Sequence, residues 1–374
     1  MSRLVVQKYG GSSVADLPRI RKVAERIAAT AAEGTKVVAV VSAMGNTTNE
    51  LLALARQASE SPDRRELDML VSVGERITMA LLAMCLHEHS LRARSLTGSQ
   101  SGIVTDETHA DAQVVEIRPD RLLAVLEDHD VAIVAGFQGV SRQREVTTLG
   151  RGGSDTTAVV LAAALKAEHC EICSDVDGVW SADPRVVPEA TRRDAMDLSV
   201  AVELARGGAK VLFEDAVRFA RDHGVAIRAT TTFGPGAGTR LVPSKGQSVT
   251  TPSVDAVTAD QQLVAVTGPL EAWLEAGARL RRRAGGIAHL DVRNLHGAHP
   301  SQAIGIAVVT AVGSAIGESW PILDCARLAL RQSSIEVLDE GGQGDALWWQ
   351  VPGAQADDAV RVLHHALVDV PPSS

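Results

Sequence analysis

Aromatic side chains are scarce in this 374-residue chain: 3% of it, with one tyrosine, four phenylalanines and five tryptophans. Aliphatic residues and alanine must fill the core, and a hydrophobic content of 45% suffices for that. Cysteine is rarer still, four in all, which excludes a disulfide framework and suits a reducing cytoplasm. Positive charge is outweighed: 37 Lys and Arg against 46 Asp and Glu leave a net charge of −9. With no long basic stripe, nucleic acid is not an expected partner. No 18-residue apolar stretch free of charges occurs, so no membrane association is expected. Met1-Ser2-Arg3 runs straight into a strand-like segment with no signal pattern. The absence of G-x-x-x-x-G-K-[ST] excludes a P-loop mechanism.

What is present is a set of glycine-rich turns at strand ends. Leu4-Val5-Val6-Gln7 leads into Lys8-Tyr9-Gly10-Gly11-Ser12-Ser13. Leu149-Gly150-Arg151-Gly152-Gly153-Ser154-Asp155 and Ser174-Asp175-Val176-Asp177-Gly178 repeat the theme. Glycines let a backbone approach closely, their N–H groups point inward, and a lysine neutralises charge, which together suit a polyphosphate. Apolar runs at 5–7, 36–41, 93–96, 131–135 and 170–173 alternate with helical spacing at 17–32, 50–58, 66–87, 118–127 and 156–167. Such alternation predicts a mainly parallel sheet covered on both faces, with ligands at the carboxyl ends of its strands, where these turns lie. Further on, 199–207 and 210–222 read as helices and 225–229 as a strand. The Gly, Pro and Thr of 230–245 then mark a boundary near 245–255. Beyond it come strands at 262–266, 287–292 and 303–312, helices at 270–283, 321–332 and 357–367, and a hairpin of 335–338 with 346–351.

KYGGSSVAD at the first turn, SVGE (72–75), LGRGGSDTTA (149–158), SDVDGVWSADPR (174–185) and GAKVL (208–212) together resemble aspartate kinase over about residues 3–242. The resemblance implies a three-layer αβα sandwich of the amino-acid kinase fold over 1–245. It implies C-terminal α+β ACT-like modules over 255–374, the first abbreviated and the second at about 303–368. It implies ATP-dependent phosphorylation of the side-chain carboxylate of L-aspartate to β-aspartyl phosphate, with Mg²⁺ brought by the ATP and held by phosphates and water. A homodimer through the ACT-like region is implied as well.

The residues carry a consistent physical reading. A carboxylate is already a nucleophile, so acyl phosphate formation asks the protein to hold two anions together and stabilise the transferring group. Lys8 is the candidate cation, with a surface lysine at a strand end as its plain alternative. Gly10, Gly11, Ser12 and Ser13 are candidate phosphate donors, or an ordinary tight turn. Arg151 suits a substrate carboxylate because its planar fork binds bidentately, and the motif places Ser154 beside it. Glu75 and Asp155 are the anions for a substrate ammonium or nearby cations, with their separate roles open. The resemblance puts Glu75 on the substrate amino group and Thr47 in the substrate site, where Thr47 reads equally as a cap for a helix over 48–58. Ser174, Asp175, Trp180, Asp183, Arg185 and Lys210 align with nucleotide-binding positions. Trp180 stands where the family commonly has tyrosine, and its indole offers a larger stacking face.

Other clusters are weaker. Cys170 and Cys173, beside His169, lack further zinc ligands and sit on a strand where i and i+3 face opposite ways, so no protein-held metal is expected. Arg281-Arg282-Arg283 reads as a cationic helix end. The regulatory region departs from the family pattern, which suggests altered feedback by lysine and threonine. Trp348-Trp349 is unusual there and reads as a dimer contact. Two alternatives stay open: a kinase for a related amino acid in specialised metabolism, and a non-catalytic regulatory subunit.

Overall fold

The structure is a computed structural model that describes residues 3–243, 252–284, 287–292 and 303–369. It comprises two units. One takes in the described residues of 1–179, 194–198 and 211–243; the other those of 180–193, 199–210 and 244–374. The expected boundary at 245–255 lies mostly outside the described residues.

The first unit opens with β1 (Leu4–Tyr9), α1 (Leu17–Ala32), β2 (Lys36–Val41), α2 (Thr47–Ala58), α3 (Arg64–Val71), α4 (Val73–Glu88) and β3 (Ala93–Leu96). It continues through β4 (Ile103–Thr105), β5 (Val114–Ile117), α5 (Asp120–Asp128), β6 (Val131–Ala135), β7 (Gln138–Ser141), β8 (Val146–Thr148), α6 (Gly153–Ala164) and β9 (Cys170–Ser174). After β10 (Ala195–Asp197) comes α7 (Leu198–Arg206), most of which belongs to the second unit; α8 (Glu214–His223), β11 (Ile227–Thr231) and β12 (Thr239–Val242) return to the first.

The main sheet has the order β10-β12-β11-β9-β1-β2-β6-β3. Strand β1 lies centrally and parallel to both neighbours, Tyr9 level with Val41 of β2 and Cys173 of β9. The carboxyl ends of β1, β2, β6, β9 and β11 therefore share one edge. Burial on both faces makes these strands read as continuous apolar runs. On one face Val5, Tyr9, Val37, Ala39, Val41 and Ile133 pack under α1 and α4. Because side chains alternate, Val6 and Lys8 point to the other face, against α6. The expected three-layer αβα sandwich is what the chain forms.

Local signals explain the helices. Asp16 caps α1 by accepting the Arg19 N–H, Pro18 occupies the first turn, and Ile20, Val23, Ala24 and Ile27 are buried at helical spacing. Asp63 caps α3 through the N–H groups of Arg65 and Glu66. The run Arg64–Glu88 is long and apolar enough by composition to cross a bilayer, but Leu82, Ala83 and Leu86 are taken up by the core.

Four short strands form a separate sheet, β5-β4-β7-β8, absent from the sequence reading. Each has only three or four residues and is specified by long-range pairing rather than by periodicity.

The second unit contains β13 (Ala256–Thr267), α9 (Glu271–Glu275), β14 (Arg279–Ala284), β15 (Ile287–Asp291), β16 (Ile304–Val312), α10 (Trp320–Gln332), β17 (Asp339–Gln343), β18 (Ala346–Pro352) and α11 (Ala356–His364). They build a six-stranded sheet, β14-β15-β13-β16-β18-β17, with helices, in keeping with the expected α+β modules. Three expectations are corrected here. The helix read over 270–283 stops at Glu275, because Gly277 at φ +97° turns the chain and Arg279–Ala284 pairs with β15 as a strand. The first hairpin strand is the glycine-rich 339–343, not 335–338. Glycine is needed there because a Cβ on Gly341 would lie 2.6 Å from the Trp348 ring and one on Gly342 2.2 Å from the Gly317 carbonyl. Trp349 is no surface contact: it is fully buried in the core of this unit, while Trp348 is half-buried over Gly341.

Candidate active site

The turns after β1, β2 and β6 and the start of α6 meet at the carboxyl edge of the sheet. Lys8 Nζ lies 3.0 Å from Asp155 Oδ2, both side chains buried. Asp155 sits in the first turn of α6, where an acid is favoured by the helix dipole. The same Nζ lies 3.5 Å from where a Cβ on Gly10 would stand, so the turn folds directly over the ammonium. The lysine is thus a buried, anchored cation rather than a solvated one.

The glycine turn supplies fewer donors than its sequence suggests. The Gly10 N–H reaches the Cys173 carbonyl at 3.4 Å, and Ser13 N–H donates to Gly10. Ser13 is buried, its hydroxyl 2.6 Å from that of Thr232. Its hydroxyl is thus engaged within the protein, while the amides of Gly11 and Ser12 stand at the head of the short helix Gly11–Val14. A Cβ on Gly11 would stand 3.1 Å from the Ala43 carbonyl, so the first two turns touch backbone to backbone.

Glu75, in the first turn of α4, reaches the second turn, where Oε1 accepts the Ala43 N–H at 3.0 Å. Its other oxygen is buried without a hydrogen-bond partner. Burial pushes its carboxyl up to about 7, against the pull of backbone N–H groups at Glu75 and Ala43. A buried acid with one unpartnered oxygen is a ready receptor for an ammonium. Thr47 begins α2, and its hydroxyl donates to the Met44 carbonyl at 2.7 Å; the cap position is Asn46, not Thr47.

Arg151 is exposed on the turn before α6, and Ser154 is buried in the first turn. Gly136, at the end of β6, accommodates Ser154: a Cβ there would lie 2.8 Å from its Oγ. Sequence reasoning missed what holds the Arg151 turn. Asp68 of α3 is fully buried and accepts from His109 Nδ1 at 2.6 Å, the Ala110 N–H at 3.1 Å and the Thr148 hydroxyl at 2.5 Å. It ties the 109–111 loop to the strand just before the turn, and a Cβ on Gly150 would meet Asp111 at 2.5 Å. No local signal marks Asp68, since its partners lie 41, 42 and 80 residues away. Phe213 was missed likewise: its ring covers Gly152, whose φ of +73° suits glycine.

Of the remaining candidates in this unit, the Ser174 hydroxyl bonds within its own turn to Val176, and Asp175 is exposed. In the second unit Trp180 packs half-buried on the core. The Arg185 side chain and N–H engage the Asp183 carboxylate, and these contacts, with a smaller one from Lys210, hold that carboxyl low. Lys210 is exposed; it follows Gly207 and Gly208, which let β13 approach, a Cβ on Gly208 lying 2.9 Å from the Ala259 carbonyl. Among the described residues no group of three or more His, Cys, Asp or Glu is placed to hold a metal ion. Cys170 and Cys173 are both buried and unpaired.

The amino acid kinase family model matches residues 3–229. The aspartokinase of Mycobacterium tuberculosis is 53% identical over 242 residues, which is 64% of this chain and 58% of that protein. The chain thus spans about three-fifths of the length of the curated relatives it matches. The crystal structure of aspartate kinase from Synechocystis is 34% identical, with a TM-score of 0.60, and the match covers 99% of this chain and 70% of that one. E. coli aspartokinase III in complex with aspartate and ADP, 23% identical, matches in fold with a TM-score of 0.82 over 98% of this chain and 100% of the other. The chain belongs to the amino acid kinase family, and within it its sequence and fold align with aspartate kinases.

Proposed function

We propose that this protein transfers the γ-phosphoryl group of ATP to the side-chain carboxylate of L-aspartate, giving 4-phospho-L-aspartate and ADP. The observation that carries the reading is the buried Lys8–Asp155 pair under Gly10, at the edge where Glu75 offers a buried, half-partnered carboxylate.

The substrate β-carboxylate attacks phosphorus and ADP leaves, so no general base is needed. Lys8 offsets the charge on the transferring group, and Asp155 keeps it aimed. Glu75 takes the substrate ammonium, Arg151 pairs with a carboxylate as a planar fork, and Thr47 and Ser154 line the acceptor. Gly10 and Gly11 let the backbone approach the phosphates, with Ser12 beside them. Ser174, Asp175, Trp180, Asp183, Arg185 and Lys210 are assigned to the nucleotide on their motifs. Mg²⁺ brought with the ATP would add positive charge at the phosphates and would be held by phosphate oxygens and water rather than by a protein cage. In this reading residues 1–245 are the catalytic domain and 255–374 the ACT-like region, which pairs two copies into a homodimer. All four cysteines are unpaired, which suits the cytoplasm.

The test is ATP- and Mg²⁺-dependent acyl phosphate formation, trapped with hydroxylamine, over L-aspartate, L-glutamate, N-substituted aspartates and an acid-free control. Hydroxamate with L-aspartate, abolished by Lys8→Ala, is expected. Signal with another acid alone would keep the chemistry and move the substrate. No signal with any acid, despite nucleotide binding, would return the chain to a regulatory role.

A further inference from the structure

The second unit holds a buried polar chain outside the residues assigned above. Ser181 follows Trp180 directly and is fully buried. Its hydroxyl accepts the Thr191 N–H at 2.9 Å and lies 2.8 Å from Nε2 of His364, on the C-terminal helix α11. With one acceptor lobe used, the hydroxyl proton is available to Nε2. That tautomer puts the ring proton on Nδ1, 3.3 Å from an Asp369 oxygen but off hydrogen-bond geometry. Ser, His and Asp follow one another in the order of a nucleophilic triad, but the His–Asp hydrogen bond that a triad needs is not made. No substrate reaches it: Ser181 is 0% exposed, and its neighbours Ala182 and Val187 belong to the core.

Position gives the arrangement its meaning. The Ser181 N–H donates to the Thr191 carbonyl, and Trp180 bridges to Arg192, so the 182–190 loop is closed at its base where His364 touches it. Arg361, one turn earlier on α11, donates to the Val186 carbonyl within the loop at 3.0 Å. Asp183 and Arg185 lie on that loop and Trp180 at its mouth. Helix α11 thus grips, from the far end of the sequence, the segment that carries three of the nucleotide-binding assignments.

We propose that His364 is a positioning residue for nucleotide binding, acting through Ser181 to fix the path of the Trp180–Arg185 segment. The inference rests on the nucleotide role proposed for that segment. Losing one buried hydrogen bond at the loop base is expected to weaken nucleotide binding about three- to tenfold.

The experiment uses the full chain with His364→Ala, His364→Gln, Ser181→Ala and the His364→Ala/Ser181→Ala double variant. Mg·ADP is titrated by calorimetry, KM is measured for ATP and for L-aspartate, and amide exchange of 182–190 is followed. Expected are weaker ADP binding and a raised KM for ATP in His364→Ala and Ser181→Ala, an unchanged KM for aspartate, a double variant no worse than the singles, and partial rescue by His364→Gln. A folded His364→Ala chain that binds ADP like wild type overturns the proposal. If His364→Ala does not fold, Ser181→Ala with wild-type ADP binding overturns it equally. Failure of the nucleotide reading looks different: the wild-type chain then takes up no ADP. In that case faster exchange over 182–190 in His364→Ala still supports the grip of α11 on the loop, and unchanged exchange refutes it.

Discussion

Gly74 and Ala43 stand against each other so closely that a Cβ on Gly74 would lie 2.6 Å from the Ala43 Cβ and 3.7 Å from the Thr47 methyl. This contact brings the start of α4 down on the turn after β2, and Glu75 reaches the Ala43 N–H only because Gly74 has no side chain. Neither atom in the collision belongs to a flexible chain end. Gly74→Ala is therefore expected to destabilise the protein by about 1–3 kcal/mol, as overpacking does, and to raise KM for aspartate by displacing Glu75. Gly305→Ala is the control, since nothing lies within 4 Å of a Cβ there. Denaturant melts and steady-state kinetics on both variants check this; equal behaviour of the two would refute the close approach as the reason for glycine.

Glu75 makes a pH prediction whose sign follows from burial. Burial pushes its folded carboxyl up to about 7, against 4.5 for a solvent-exposed glutamate. The fold therefore prefers the protonated form, a contribution fully present below pH 4.5 and lost as pH rises to about 7, amounting to ~3 kcal/mol. Glu75→Gln keeps an acceptor for the Ala43 N–H and stays neutral, so the variant is expected to be the more stable protein above pH 7 and not below pH 4.5. Substrate binding runs the other way. An ammonium selects the carboxylate, so wild-type KM for aspartate should fall as pH rises through 7. Glu75→Gln should lose that dependence and bind aspartate about 10–100-fold more weakly. Stability profiles from pH 4 to 9 and KM profiles from pH 5 to 9 decide it.

Lys8 and Asp155 form a buried pair, so each single deletion strands a charge. Lys8→Met and Asp155→Ala are each expected to cost about 3–5 kcal/mol, with the double variant recovering part of that loss. Activity should not recover with stability, because the cation is gone. Removing the group that offsets transition-state charge is expected to cut hydroxamate formation by roughly 10²–10³-fold in both lysine variants. A double variant that regained activity along with stability would reduce Lys8 to a structural residue.

The central sheet was legible because its strands are continuous apolar runs and its helices carry caps and 3.6-residue spacing. What escaped was specified at a distance. Strands β4, β5, β7 and β8 are short and half polar, and the glycine-rich strand 339–343 exists because Trp348 and Gly317 press against it. The candidate site divides the same way. Lys8, Glu75 and Asp155 stand in motifs, yet the 147-residue span closed by the Lys8–Asp155 pair, the Ser13–Thr232 contact and the grip of Asp68 on His109 and Thr148 are tertiary facts with no local period.

Glu171 shows how the opposite face of the same strands is used for stability. On β9 it lies level with Gln7 of β1, on the α1 side of the sheet and away from Lys8. Gln7 Nε2 donates to it at 3.0 Å and Arg26 Nη2 at 3.4 Å, while His169 and Arg228 nitrogens lie 3.6 and 3.5 Å away. Burial works to raise its carboxyl, but these partners, His169 and Arg26 foremost, hold it at about 2, below the 4.5 of a solvent-exposed glutamate. A depressed acid stabilises the fold above the unfolded pKa, and that contribution, ~3 kcal/mol, drains away as pH falls from 4.5 toward 2. Glu171→Gln is expected to be less stable than wild type by about that amount at pH 7, with the gap narrowed to roughly half by pH 3. Because Glu171 faces away from the proposed site, the folded variant should keep wild-type hydroxamate formation within about twofold, well inside the tenfold that ~1.4 kcal/mol in the barrier would produce. Urea melts at pH 7 and pH 3 beside the activity assay test both halves. A pH-independent stability gap would show that packing, not the charge, is what Glu171 contributes.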